Sequence, residues 1–501
     1  MRGGRTVSFL HAGVLVLGLA SAAALGGCTT NPATGSQSFT AFMSPEKEVE
    51  VGRDEHPKIL KQYGGELDDP KLRAYVDSVG QRLARQSELP DLKFTFTVLN
   101  SDVTNAFALP GGYVYVTRGL ISLASNEAEL AGVLGHEVGH VTARHTAQRY
   151  SRAVATGIAA TAVGVLESIF LGTNVVGQVG AQAGQLYLAG YSRDQEFEAD
   201  TLGVRYLGRS GYSPTAMSTF LAKLQAESAL TAQLAGKPGS TNDFDIMATH
   251  PRPQDRVREA VAAAHEQGAA PGDGRIGREE FLTAIDGMAY GGDRKSGFVR
   301  NRVFVHPSLR FQFEVPPGFV LVNSDRNVAA RGPNGATVVF DRESRPQVAG
   351  IAMTNYLSGV WGRNVRLQQL ERLTINEMDA ATALARVQNN SGVRDLRLVA
   401  IRYDANTIYR FLFVTQPADT AGLADWLRRT TYSFRRLSEA EAAKASPLRV
   451  RVVTVGASDT VESLARRMAF DTAQDQRFRL INGLQPDEKL RPGDRVKIIA
   501  D

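Results

Sequence analysis

Apolar and polar positions alternate along this chain with several distinct periods, and each period predicts a different element. Residues Ser44 to about Arg85 place apolar side chains at helical spacing ("VGRDEHPKIL", "LRAYVDSVGQRLA"), which predicts helices. Lys93–Leu99 ("KFTFTVL") and Tyr113–Thr117 ("YVYVT") alternate with period two and predict strands, with a Pro110-Gly111-Gly112 turn between them. Asn126, followed by Glu127 and Glu129, marks a helix start, with acids near the positive end of the dipole. That helix is expected to run to about Tyr150. Ala153–Thr173 is the most apolar interior run. Its length suits a membrane span, but Glu167 interrupts it and Ala and Gly outnumber Leu and Ile, so a buried or surface-lying helical hairpin arm is expected.

Past the middle of the chain the pattern changes. Glycine-rich stretches at 268–277 and 290–297 predict a linker. Asp273, Gly274, Ile276 and Glu280 have the offsets of half a calcium loop, yet Ala269 and Pro271 occupy positions that require oxygen donors, so calcium is excluded. From Phe298 to about Leu437, strand-like runs ("RFQFEV", "ATVVFDR", "LRLVAIRYD", "TIYRFLFV") surround helical ones ("LTINEMDAATALARVQ", "LADWLRRTTYSF"). This order predicts an α+β domain with an antiparallel sheet. An Ala-rich linker then leads to a final segment whose pattern reads β, α, α, β.

Composition narrows the possibilities. The chain has 501 residues, enough for several domains, and 43% hydrophobic with 22% charged residues fits a soluble globular protein rather than a polytopic membrane protein. A net charge of +5, with no Lys/Arg cluster interleaved with aromatics, argues against nucleic acid as a partner. Arg2 and Arg5 precede the apolar run "VLVLGLASAAA", which ends at Leu25-Gly26-Gly27-Cys28. This is the make-up of a secretory signal. The sole cysteine, Cys28, follows the small residues, and the segment resembles a bacterial lipoprotein signal in which that cysteine is acylated and becomes the mature N-terminus. Because Thr29 and Thr30 follow it in place of Asp, the resemblance implies the outer membrane over the inner one. No intramolecular disulfide is then available to the protein.

The candidate chemistry lies in "GHEVGHVTARH" (135–145), which holds three of the eight histidines. On a helix, His136 and His140 project from one face a single turn apart, a spacing that suits one zinc, with Glu137 beside them to hold the attacking water. A catalytic zinc needs a third protein ligand. Five residues past His140, His145 points about 140° away from this face, which predicts a structural role for it, capping or packing. The metzincin pattern is excluded by Ala143 and Thr146. A better candidate lies downstream in "YSRDQEFEAD" (191–200): Glu196 and Asp200 share a helix face. With Glu196 as ligand, Asp200 could accept the outer ring N–H of a zinc histidine. Glu198 faces elsewhere and reads as an ordinary exposed acid.

HExxH followed by "SRxxEFxAD", with "NPATG", "NAFALPGGYVYVTRGLI" and "THPRPQDRV" around them, resembles peptidase family M48, gluzincins that include HtpX and the CAAX prenyl proteases. The resemblance spans roughly Asn31 to Arg258. It implies a mainly α-helical metallopeptidase domain with a small β-sheet, one zinc held by His136, His140 and Glu196, Glu137 as general base and Asp200 behind the ligands. It also implies that Tyr113, Val114 and Tyr115 lie on an edge strand that substrate peptides extend, with Asn105 at its entry loop. His250 matches a His-Pro loop near the zinc and would act as a removable fourth ligand or a transition-state donor. The transmembrane helices of the prenyl proteases and the tetratricopeptide tail of some periplasmic members are missing. The last segment resembles a LysM module, a peptidoglycan binder, although its usual Gly-Asp-Thr turn reads Ala457-Ser458-Asp459-Thr460.

The expected organisation is a signal peptide (1–27), tether (28–43), metallopeptidase domain (44–267), linker (268–297), α+β domain (298–437), linker (438–448) and βααβ LysM-like module (449–501). The expected function is a zinc endopeptidase of the bacterial periplasm, anchored to outer-membrane lipid and cleaving unfolded or misassembled envelope proteins. The alternative is a chaperone or assembly factor for outer-membrane proteins whose peptidase site is latent.

Overall fold

The computed structural model describes residues 28–155, 191–234, 253–266, 273–323, 327–343, 348–389 and 392–501. The signal segment, His250 and most of the apolar Ala153–Thr173 run lie outside the described residues. No helix among the described residues is long and apolar enough to cross a membrane. The chain divides into two compact units, Met1–Gln225 with Asp243–Ile285, and Ala226–Asn242 with Asp286–Asp501.

The first unit opens with a short antiparallel hairpin, β1 (Cys28–Thr30) against β2 (Gln37–Phe39). A loose tether was the expectation for this segment, and the structure corrects it. Asn31 is 2% exposed and Met43 1%. The Asn31 carboxamide oxygen accepts from Ala33 N–H at 2.9 Å and closes the turn, as short polar side chains do in place of a backbone partner. Two helices follow, α1 (Pro45–Gln62) and α2 (Pro70–Ala84), each started by a side-chain cap, Ser44 and Asp69, with proline in the first turn. On α2 the residues Leu72, Val76, Val79 and Leu83 recur at helical spacing and are buried.

The small sheet comprises β3 (Thr95–Leu99), β4 (Ala106–Leu109) and β5 (Tyr113–Thr117) in the order β3-β5-β4. Residues 106–109 form a strand the sequence reading passed over. The Pro-Gly-Gly turn therefore joins β4 to β5 in a hairpin, with Gly111 and Gly112 at φ of 77° and 88°. β3 runs parallel to β5. The next helices are α3 (Arg118–Leu123), α4 (Glu127–Thr142), α5 (His145–Ala155), α6 (Arg193–Arg209), α7 (Ala216–Leu234), α8 (Pro253–Glu266) and α9 (Arg278–Ile285). Every residue of α4 is buried, so the HExxH helix is a core element. The helix predicted to reach Tyr150 stops at Thr142. Arg144, at φ 57°, turns the chain before α5 begins at His145. The expected linker also contains ordered structure: α9 buries Phe281, Leu282 and Ile285.

The second unit contains β6 (Ala289–Tyr290), β7 (Phe298–Arg300), β8 (Val303–His306), β9 (Phe311–Glu314), β10 (Val320–Asn323), β11 (Val328–Arg331), β12 (Thr337–Glu343), β13 (Gln368–Ile375), β14 (Met378–Asn389), β15 (Gly392–Arg402), β16 (Ile408–Thr415), α10 (Pro417–Ser433), β17 (Arg435–Arg436), α11 (Glu439–Lys444), β18 (Leu448–Thr454), α12 (Val461–Ala465), α13 (Gln474–Asn482) and β19 (Arg495–Ala500). Seven strands form an antiparallel sheet in the order β10-β11-β12-β16-β15-β14-β13, and four more form β17-β9-β8-β7. The α+β expectation agrees with these sheets and with α10, but "LTINEMDAATALARVQ" is a hairpin, not a helix. Asn376 and Glu377 take φ of 45° and 67°, a turn with both central residues left-handed, which matches strand twist. Ala380 packs in one apolar cluster and Ala381 and Ala383 in another. A strand covered on both faces has no polar alternation to reveal it. The tail has the β, α, α, β order expected, and β6, from the expected linker, adds a third strand to its sheet.

Candidate metal centre

Close backbone approach of α4 and α6 builds the site. A Cβ on Gly139 would lie 3.1 Å from Ala199 O, and one on Gly203 would lie 3.0 Å from His136 N and 2.6 Å from Met217 Cε. Glycine at these two positions lets the helices pack more closely than any side chain would allow. Glu196 and Asp200, on the first turns of α6, thereby come opposite His136 and His140. The capping box of Ser192 and Gln195 fixes where α6 starts and hence which way those acids face.

His136 Nε2 and His140 Nε2 are 3.0 Å apart. Glu196 carboxylate oxygens lie 3.7 Å from the first and 3.5 Å from the second. Donors about 2.0–2.1 Å from a tetrahedral zinc are roughly 3.4 Å from one another, so two imidazoles and a carboxylate at these separations fit zinc and leave a fourth position open. All three residues are buried. Glu137, one residue beyond His136, is 1% exposed. Burial, and then the neighbouring His136, holds the His140 ring well below the ordinary histidine value, which keeps it neutral as a ligand must be.

The residues behind the ligands include several the sequence reading missed. His136 Nδ1 is 2.8 Å from Asp200 Oδ1. Arg256 on α8 was not anticipated. Its Nε and Nη2 each donate to the Asp200 carboxylate at 2.7 Å, and its Nη1 is 2.9 Å from Glu196 Oε2. Burial raises the Asp200 carboxyl, but Arg256's charge and hydrogen bonds outweigh that, and the group is held below its ordinary value. Arg256 lies within "THPRPQDRV", yet nothing in that string marks it as a partner of residues 56 positions upstream. Tyr191 also lies at the site: its ring stacks on His140 with centroids 3.8 Å apart, and the Arg149 guanidinium lies over the Tyr191 ring, 4.7 Å from its centroid.

Three expectations change. His145 is fully buried, and its Nδ1 lies 2.8 Å from Nδ1 of His140. The helical-wheel argument that turned it away assumed a continuous helix, and the break at Arg144 removes that assumption. Glu198 is not an ordinary exposed acid: its carboxylate accepts from His145 Nε2 at 3.0 Å and from Asn31 Nδ2 at 2.9 Å. Tyr113, Val114 and Tyr115 are not on an edge. β5 is paired on both sides, Val114 and Tyr115 are buried, and the Tyr115 hydroxyl meets His56 Nδ1 at 2.7 Å. A peptide cannot extend a strand whose backbone groups are already used. The edges are β3 and β4; β4 lies against α4 and has no strand on its other side among the described residues. Asn105 directly precedes β4, is 8% exposed, and its side-chain oxygen has no partner among the described residues.

Residues 70–264 match the family model described as peptidase family M48. The chain is 33% identical over 265 residues to a beta-barrel assembly-enhancing protease of Yersinia pestis, covering 51% of this chain and 51% of that protein. The protein of the same name from Escherichia coli K12 is 33% identical over 235 residues, 45% of each chain. The mitochondrial metalloendopeptidase OMA1 of Schizosaccharomyces pombe is 28% identical over 226 residues, 43% of this chain and 61% of that protein. The chain thus spans about half the length of the first of these relatives.

Proposed function

We propose that this chain, whose residues 70–264 match peptidase family M48, works as a zinc-dependent endopeptidase of the bacterial envelope that cleaves misfolded or unassembled envelope proteins. The observation that carries the reading is the convergence of His136, His140 and Glu196 within 4.8 Å of one another, with Glu137 adjacent in sequence. Zinc held by those three residues would supply a Lewis acid able to acidify water and polarise a scissile carbonyl. Glu137 takes the water's proton and delivers it to the leaving amine. Asp200 accepts the outer N–H of His136, leaving its Nε2 lone pair for the metal, while Arg256 holds the Asp200 and Glu196 carboxylates in place.

An extended substrate backbone would pair with β4. Main-chain pairing favours unfolded segments over folded ones, which suits quality control. The names of the bacterial relatives join proteolysis to β-barrel assembly, and that supports an outer-membrane protein as the substrate or client. Acylation at Cys28 would hold the chain at the outer membrane. The C-terminal β, α, α, β segment, resembling a LysM module, would bring it to peptidoglycan.

The test is metal removal. Stripping zinc from the purified full chain with a chelator is expected to abolish cleavage of unfolded casein, and about one equivalent of zinc is expected to restore it. Cleavage that survives complete removal of the metal would overturn the reading.

A further inference from the structure

Each of the two ligand histidines is approached from behind by a different group. His136 meets the Asp200 carboxylate directly. His140 meets another imidazole, and the chain of contacts continues: His140 Nδ1 to His145 Nδ1 at 2.8 Å, His145 Nε2 to Glu198 Oε2 at 3.0 Å, and Asn31 Nδ2 to Glu198 Oε1 at 2.9 Å. The proton order along this chain is fixed from its far end. An ionised carboxylate only accepts, so His145 carries its proton on Nε2. Its Nδ1 is then a lone pair, and the contact to His140 requires the proton on His140 Nδ1. That leaves His140 Nε2, the atom facing His136 and Glu196, as a lone pair aimed at the metal.

The same N-terminal segment holds His145 from its other flank. Arg144 stands in the left-handed region, a conformation unfavourable for an arginine. Its guanidinium is fixed by Thr29 Oγ1 at 3.1 Å, Met43 O at 2.7 Å and Glu48 Oε1 at 3.2 Å. Residues 29–43 therefore grip both the turn that aims His145 and the carboxylate that sets its tautomer.

We propose that Asn31, Glu198 and His145 are positioning residues for the metal site, and that the N-terminal hairpin is the clasp that orients His140 through them. The inference rests on zinc binding at His136, His140 and Glu196. In the full chain, His145→Phe and Glu198→Ala are each expected to lower zinc affinity, measured by chelator competition, about 10–100-fold. The double variant is expected to be no weaker than the weaker single, because both break one chain. Asn31→Ala is expected to show a smaller loss, absent in the Glu198→Ala background. His145→Gln, with an amide oxygen toward His140 and an amide N–H toward Glu198, is expected to recover most of the affinity. The cobalt-substituted His145→Phe protein is expected to show an altered ligand-field spectrum, and His145→Gln a near-normal one. Wild-type zinc affinity in both His145→Phe and Glu198→Ala, or losses that multiply in the double, would overturn the clasp while leaving the site reading intact. Failure of the wild-type chain itself to bind zinc would sink the site reading instead. If His145→Phe does not fold, the Asn31→Ala and Glu198→Ala cycle decides alone, since neither substitution fills or empties the core around His140.

Discussion

At the scale of single residues, the buried charges around Asp200 determine how much each substitution costs. Arg256 is the cation facing two buried carboxylates. Arg256→Ala leaves both without it, and removing one partner of such a cluster costs about 3–5 kcal/mol. The expected outcome is a large drop in thermal midpoint together with weakened zinc binding. Arg256→Lys is expected to recover little, because an ammonium cannot reproduce the two parallel bonds to Asp200. Unchanged zinc affinity and midpoint in Arg256→Ala would contradict this. The ligands were legible in the sequence because HExxH and ExxxD are spaced by helix geometry alone. Arg256 was not, since its pairing depends on how α8 meets α6. His145 was misjudged for a related reason: a helical wheel cannot foresee that Arg144 leaves the helix, and no glycine or proline marks the break.

At the scale of elements, the contact between α4 and α6 is the most sensitive to added volume. Gly203→Ala would press a methyl against the His136 backbone and Met217. It is expected to destabilise the first unit by about 1–3 kcal/mol and to weaken zinc binding, read by denaturant titration and chelator competition. A wild-type titration curve would show that the helices have slack. In the second unit, His306 on β8 packs on Phe304 and Phe311. Burial first, then the charge of Arg342, lowers its pKa from 6.5 to about 4. The unfolded ring takes up its proton near pH 6.5, before the folded one does. The stability His306 contributes is therefore complete above that value and falls away as pH drops toward 4. His306→Asn keeps an acceptor for the Leu309 N–H and is expected to flatten the acid limb of the unit's unfolding midpoint. An unchanged limb would rule His306 out. Strands with one covered face were readable from their alternation. β14, covered on both, carries Ala where a helix would also accept it, and the sequence pattern could not tell the two apart.

At the scale of the whole molecule, the segment after Cys28 would join the proposed anchorage to the chemistry. Among the described residues pairing starts at Cys28, so lipid on that residue would leave almost no free chain between the bilayer and the hairpin that touches Glu198. Short polar stretches such as "TNPATGSQSF" look like tethers by composition. Only the tertiary contacts of Asn31 and Met43 reveal a folded part, and those were beyond sequence reading. A chaperone role and a peptidase role also separate at this scale, because a chain lacking Glu137's carboxylate keeps every binding surface. The most direct measurement is therefore made on Glu137→Gln in the full-length protein, with bound zinc counted and cleavage of unfolded casein followed in parallel. The account predicts about one zinc per chain, as in the wild type, and no cleavage. Cleavage at the wild-type rate by a zinc-loaded Glu137→Gln protein would contradict it.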